Sequence, residues 1–172
     1  MKKYTILKGF HYSFFLIGRL FGWHYNKKKF IINFKFDPTC WWFPCRNNDD
    51  KDLNKLSGIS FGLFGVHKNS IRLTWRPNFE KSGIIEIHGY MYDDEVNEHE
   101  SRFIGEVEVD KLYSAKIECT QHYYYISLGD KKIKFSNISF DPKIQKELYP
   151  FFGGNNSAPN KMYIWTEIIA KN

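Results

Sequence analysis

The sequence predicts an all-β fold: a single-domain antiparallel β-sandwich. Three observations carry this. Apolar and polar residues alternate with the two-residue period of half-buried strands through most of the chain. The alternating runs are short and separated by turns rich in Gly, Pro, Asn and Asp, the spacing of sandwiches and barrels. Aromatic residues make up 19% of the 172 residues, and aromatics pack well on pleated surfaces.

Each element has its own signal. Residues 1–27 read as a peripheral strand or arm of the single 1–172 domain. Lys29–Asp37 sets Phe30, Ile32, Phe34 and Phe36 on one face, with Ile31, Asn33 and Lys35 opposite. In SGISFGLFGVHKNSIRLTWRPN (57–78), Ile59, Phe61 and Leu63 alternate, a hairpin tip is expected at His67-Lys68-Asn69, and Ile71, Leu73 and Trp75 turn inward. Opposite them on that strand stand Ser70, Arg72, Thr74 and Arg76. Ile85 and Ile87 continue the pattern, and Phe103, Val107 and Val109 are expected inward with Glu106 and Glu108 outward. Tyr113, Ala115, Ile117 and Cys119 share a face, followed by His122–Leu128, a Gly129-Asp130 turn and Lys132–Phe135. Lys143–Leu148 reads as one helical turn. Residues 47–55 (NNDDKDLNK) and 93–101 (DDEVNEHES) read as exposed loops. In LYPFFGGNNSAPNKMYIWTEI (148–168), Gly153 or Gly154 is expected at positive φ before the last strand, Met162–Ile169.

The 25 basic and 19 acidic residues give a formal charge of +6. A positive field favours polyanions, but the lysines form short runs and no Arg-rich face or nucleic-acid motif occurs, so nucleic acid is not the expected partner. Three cysteines do not make a complete disulfide framework. Free thiols are expected, with a Cys40–Cys45 bridge as the alternative. The start of the chain has no continuous apolar core of signal-peptide length, and no run is long enough to span a membrane. The expectation is therefore cytoplasmic synthesis without a leader, with incorporation into a phage particle as a further destination.

No dinucleotide fingerprint, phosphate loop, EF-hand spacing or zinc pattern appears, so no cofactor and no metal are expected. Two groups remain as ligand-binding candidates. Glu86, His88, Tyr90 and Tyr92 share one strand face and form a titratable stripe. Trp41 and Trp42 are neighbours beside Pro38 and Pro44, so at least one ring is expected to be exposed as a contact anchor. A retaining glycosidase needs two carboxylates on a common face, and His88 stands where the strand would offer the second.

The stretch Glu86-Ile87-His88, with Arg72 and Tyr90, resembles the alginate-lyase type, which uses a Gln-Ile-His strand, a tyrosine acid/base and an arginine. The family's Tyr-Phe-Lys-x-Gly strand near the C-terminus is absent, and Tyr149–Gly154 matches it only in outline. Three runs are more extensively similar to an uncharacterised group of small jelly-roll proteins from gut bacteria and their bacteriophages. They are LSGISFGLFGVHKNSIRLTWRPN, IIEIHGYMYDD and LYPFFGGNNSAPNKMYIWTEI. That resemblance spans residues 28–169 and implies a sandwich of the jelly-roll, concanavalin-like type without implying an activity.

The functional expectation is a non-enzymatic structural or attachment protein, such as a small virion component, without catalytic residues. Its partners would be other proteins in an assembly or a surface glycan. A carbohydrate-binding module is the alternative, and a polysaccharide lyase or glycosidase-like enzyme the second alternative.

Overall fold

The computed structural model describes residues 1–14, 22–43, 52–62, 69–93, 98–120, 123–136 and 143–172. Their thirteen strands form two antiparallel sheets packed face to face, the predicted jelly-roll sandwich. The strands are β1 (Lys2–Ile6), β2 (Ser13–Phe14), β3 (Trp23–Tyr25), β4 (Lys29–Phe36), β5 (Asn54–Phe61), β6 (Ser70–Pro77) and β7 (Ile84–Asp93). They continue as β8 (Glu98–Glu108), β9 (Tyr113–Cys119), β10 (Tyr123–Leu128), β11 (Lys131–Ser136), β12 (Ile144–Leu148) and β13 (Met162–Lys171). One sheet has the order β11-β10-β9-β4-β13-β1-β2, and the other β3-β12-β5-β6-β7-β8. Residues 1–27 thus contribute β1, which pairs with β13, and two short edge strands.

The core follows the alternation. Phe30, Ile32, Phe34 and Phe36 from β4 meet Ile71, Leu73 and Trp75 from β6, all essentially inaccessible to solvent. Trp75 lies 5.0 Å from Phe36 and 5.9 Å from Trp42, ring centre to ring centre. A short 3-10 turn at Pro38–Cys40 delivers Trp42 to this cluster. Asp37 caps the turn, its Oδ1 accepting from the Thr39 amide at 3.0 Å and the Thr39 hydroxyl at 2.7 Å.

Three local readings are corrected. Lys143–Leu148 is not a helical turn; residues 144–148 form β12 between β3 and β5, because ladder hydrogen bonds on both sides outweigh local propensity. Residues 98–101 are strand rather than loop, since β7 and β8 extend as one long hairpin. Phe103 points away from the core and is 48% exposed. The cause is a bulge: Ile87 pairs with Gly105 but His88 pairs with Phe103, so Ile104 is the extra residue and side-chain parity reverses along β8. The expected turn glycine is Gly154, with φ of +77°. Cys40 and Cys119 are buried free thiols, whereas Cys45 lies outside the described residues, as does most of the 63–69 hairpin.

The sandwich is latched along one flank. Arg102 on edge strand β8 donates through Nη1 to the Lys134 carbonyl on edge strand β11 at 2.6 Å, joining the rims of the two sheets.

Candidate functional site

The candidate site is the face of the six-stranded sheet turned away from the core. Strand register makes it a grid. Gly58, Arg72, Tyr90 and Ser101 form one row across β5, β6, β7 and β8; Lys55, Thr74, His88 and Phe103 form the next; Arg76, Glu86 and Glu106 follow. On the other side, Lys146, Ser60, Ser70, Tyr92 and His99 make a fourth row. The predicted stripe of Glu86, His88, Tyr90 and Tyr92 is therefore real, and cross-strand neighbours convert it into a two-dimensional patch.

Sequence reading treated Arg72 as the polar side of a half-buried strand. In the structure both faces of β6 are covered: Arg72 is 3% exposed, and Ser70 and Thr74 are fully buried. Gly58 permits this. A Cβ there would sit 2.4 Å from the Arg72 Cβ and from the Ile71 carbonyl oxygen, so only glycine lets β5 approach β6 beneath the arginine. Burial lowers the Arg72 pKa to about 10, and the Tyr90 hydroxyl works against that shift.

Lys55 belongs to the site but lay in a stretch read as loop. It stands on β5 at a bulge that shifts register between Lys55 and Ser57, which brings it opposite Thr74. Its backbone also pairs with Phe151 in both directions. The Lys55 ammonium lies 4.0 Å from the centre of the Tyr90 ring, and the Arg72 guanidinium carbon lies 5.8 Å from the same ring. Burial, then the Arg72 charge, lower the Lys55 pKa to about 8 against the opposing pull of Asp52. Tyr90 moves the other way: burial raises its pKa above the usual phenol value, although Arg72 works against that. The Tyr90 ring also stacks on His99 at 6.1 Å.

Beside this cluster, Arg76 Nε donates to Glu86 Oε2 at 2.7 Å, and His88 Nε2 stands 3.5 Å from the same oxygen. That nitrogen is buried, and the 3.5 Å approach becomes an ion pair only when the imidazole is protonated. Burial keeps the His88 pKa below the ordinary imidazole value; Glu86 pulls it up and Arg76 pushes it down. Phe103 closes the imidazole from the side, edge-on at 5.4 Å.

The second carboxylate that β7 does not offer comes from β8, where Glu106 stands directly opposite Glu86. Glu106 accepts from Lys81 at 2.8 Å and Asn78 at 2.9 Å, and the bond from Lys81 holds its pKa below the ordinary carboxylate value. A glycosidase acid needs a carboxyl that retains its proton, and Glu106 is tuned the opposite way.

The tryptophan anchor is corrected at Trp42. Trp42 is 8% exposed and packs on Trp75, Phe79 and Phe152, so it is a core residue. Trp41 is half-buried, with Nε1 donating to the Asn78 carbonyl at 3.0 Å and Phe43 against its ring at 4.6 Å. The capped turn presses Trp42 into the sandwich and leaves Trp41 half-buried. A separate cavity of about 240 Å3 lies between Tyr4, Thr166 and Ile168 of one sheet and Ser57, Glu147 and Tyr149 at the other, and none of the stripe residues lines it. Among the described residues no cluster of His, Cys, Asp or Glu has a metal-holding arrangement, and no helix is long and apolar enough to cross a membrane.

A scan against protein-family models and a search of curated proteins return no match. Solved structures do match. The fold is similar to that of alginate lyase A1-II', a member of polysaccharide lyase family 7, with TM-score 0.55 and 10% identity over 88% of this chain and 65% of that one. The marine family 7 alginate lyase from Zobellia galactanivorans gives TM-score 0.49 and 12% identity, covering 87% of this chain and 62% of the other. A structure described under endo-acting O-glycanases of the human gut microbiota gives 0.49 and 11%, covering 84% and 56%. The chain thus spans just under two thirds of the length of the first of these. The likeness to alginate lyase A1-II' establishes the sandwich fold. It also corrects the expectation of a non-enzymatic structural or attachment protein, since the matched structure is an alginate lyase, and favours the alternative held second.

Proposed function

We propose that the protein is a polysaccharide lyase that cleaves a uronate-containing chain by β-elimination. The observation that carries this reading is the Arg72–Tyr90 pair on the outer sheet face: a buried cation next to a phenol that keeps its proton. In β-elimination the proton at C5, next to the uronate carboxylate, is removed and the C4–O4 bond breaks. Positive charge beneath the carboxylate stabilises the developing enolate, and a fixed charge in a buried site is worth more than in water. Arg72 supplies that charge. The Tyr90 hydroxyl supplies the proton that the departing O4 requires. The Arg76–Glu86–His88 chain positions the imidazole along the next row, where it lines the sugar path. The resemblance of Glu86-Ile87-His88 to a lyase strand and the shared sandwich both support this assignment.

The test is release of C4–C5 unsaturated uronate, followed by its ultraviolet absorbance, across a panel of acidic polysaccharides. Arg72→Ala and Tyr90→Phe should each lower kcat/KM by about 10²-fold or more. A wild-type protein that forms no unsaturated product from any uronate polymer would overturn the reading.

A further inference from the structure

We propose that Lys55 is the base that takes the C5 proton, with Tyr90 as its paired acid. This assignment rests on the lyase reading above. It arises from features that the resemblance to alginate lyases does not supply: the bulge that turns Lys55 onto the site face, and its seat over the Tyr90 ring. On this face β12 contributes Lys146, opposite Ser60.

A lysine acts as a base only when its amine is unprotonated near working pH, which requires burial or a neighbouring cation. Lys55 has both. Among the described residues the groups facing it are Arg72 from β6, Tyr90 from β7 and Asp52 from its own segment; the first lowers its proton affinity and the last raises it. Thr74 is directly opposite and uncharged, and the Phe151 backbone flanks it on the remaining side. His88 lies one strand further along the same row. Two neighbouring groups tuned in opposite directions are the pattern of an acid–base pair.

The reaction balances without a co-reactant. The Lys55 Nζ lone pair takes the C5 proton, and the C–H electrons form the C4–C5 double bond as the C4–O4 bond breaks. The leaving O4 takes the Tyr90 hydroxyl proton. Lys55 ends as ammonium and Tyr90 as phenolate. Transfer of one proton between these neighbours returns both to their starting forms.

The experiment compares wild type with Lys55→Arg and Lys55→Met. Arginine keeps the positive charge but cannot give up a proton near neutral pH. Expected for Lys55→Arg is a kcat loss of about 10²-fold or more, with KM changed only a few-fold. The rise of wild-type kcat/KM with an inflection near the lowered Lys55 value, about 8, should vanish with it. Lys55→Met should lose kcat similarly and raise KM. Independently of turnover, NMR of 13C-methylated lysines should show one resonance titrating well below the others, missing from both variants. An active Lys55→Arg enzyme, or an ordinary Lys55 titration, overturns this assignment alone. Absence of unsaturated product from wild type overturns the lyase reading and the assignment together.

Discussion

Arg76 and Glu86 face one another in register across β6 and β7, joined by a 2.7 Å bond from Nε to Oε2. The bond fixes an anion beside His88, whose burial would otherwise dominate its titration alone.

Replacing Glu86 by Gln should therefore lower the His88 pKa further, because the carboxylate that favours the imidazolium is removed while Arg76 remains. An NMR titration of the histidines reads this directly; an upward shift would contradict the arrangement. Stability should change by no more than about 1 kcal/mol, since both side chains are partly solvent-exposed.

The same imidazole makes stability depend on pH. The folded His88 holds its proton less tightly than the unfolded one, so the unfolded state binds more protons across this range. Stability should fall as pH drops through the ordinary imidazole value towards the lower folded value. Denaturant midpoints measured across that window should slope downward on acidification, and His88→Gln should flatten the slope.

Trp42→Ala should act on folding rather than recognition. The ring fills space between Trp75, Phe79 and Phe152, and truncating a buried aromatic costs about 3–5 kcal/mol. The expected result is a clear drop in Tm. Unchanged Tm with lost glycan binding would restore the anchor reading.

Gly58→Ala should also destabilise, by about 1–3 kcal/mol, since the added Cβ meets backbone and the Arg72 stem at 2.4 Å. A chemical denaturation curve checks it. Because β5 must move away from β6, catalysis should suffer along with stability.

The alternation that made the fold legible also explains where reading failed. Strands β4, β6 and β9 keep strict parity, so Phe30 to Phe36, Ile71 to Trp75 and Tyr113 to Cys119 were assigned correctly. Phe103 and Lys55 stand at bulges, where one extra residue reverses or shifts parity without a signature in a single sequence. The Glu86–Tyr92 stripe was visible because it lies on one strand. Its partners Arg76, Glu106 and Lys55 come from other strands, and strand order is invisible to local pattern. Trp42 was misjudged because a capped 3-10 turn, not a strand, sets which way its ring faces.

The Arg102 latch has a consequence for how the molecule opens. The long strands β7 and β8 and the β10–β11 hairpin gather on the flank where the two rims are joined, while the two- and three-residue strands β2 and β3 finish the opposite rims. Amide exchange should therefore be slowest along β6, β7 and β9 and fastest at β2 and β3, with partial opening peeling from the short-stranded flank. The candidate face on β6 and β7 lies on the well-protected side, so such breathing would leave its spacing intact.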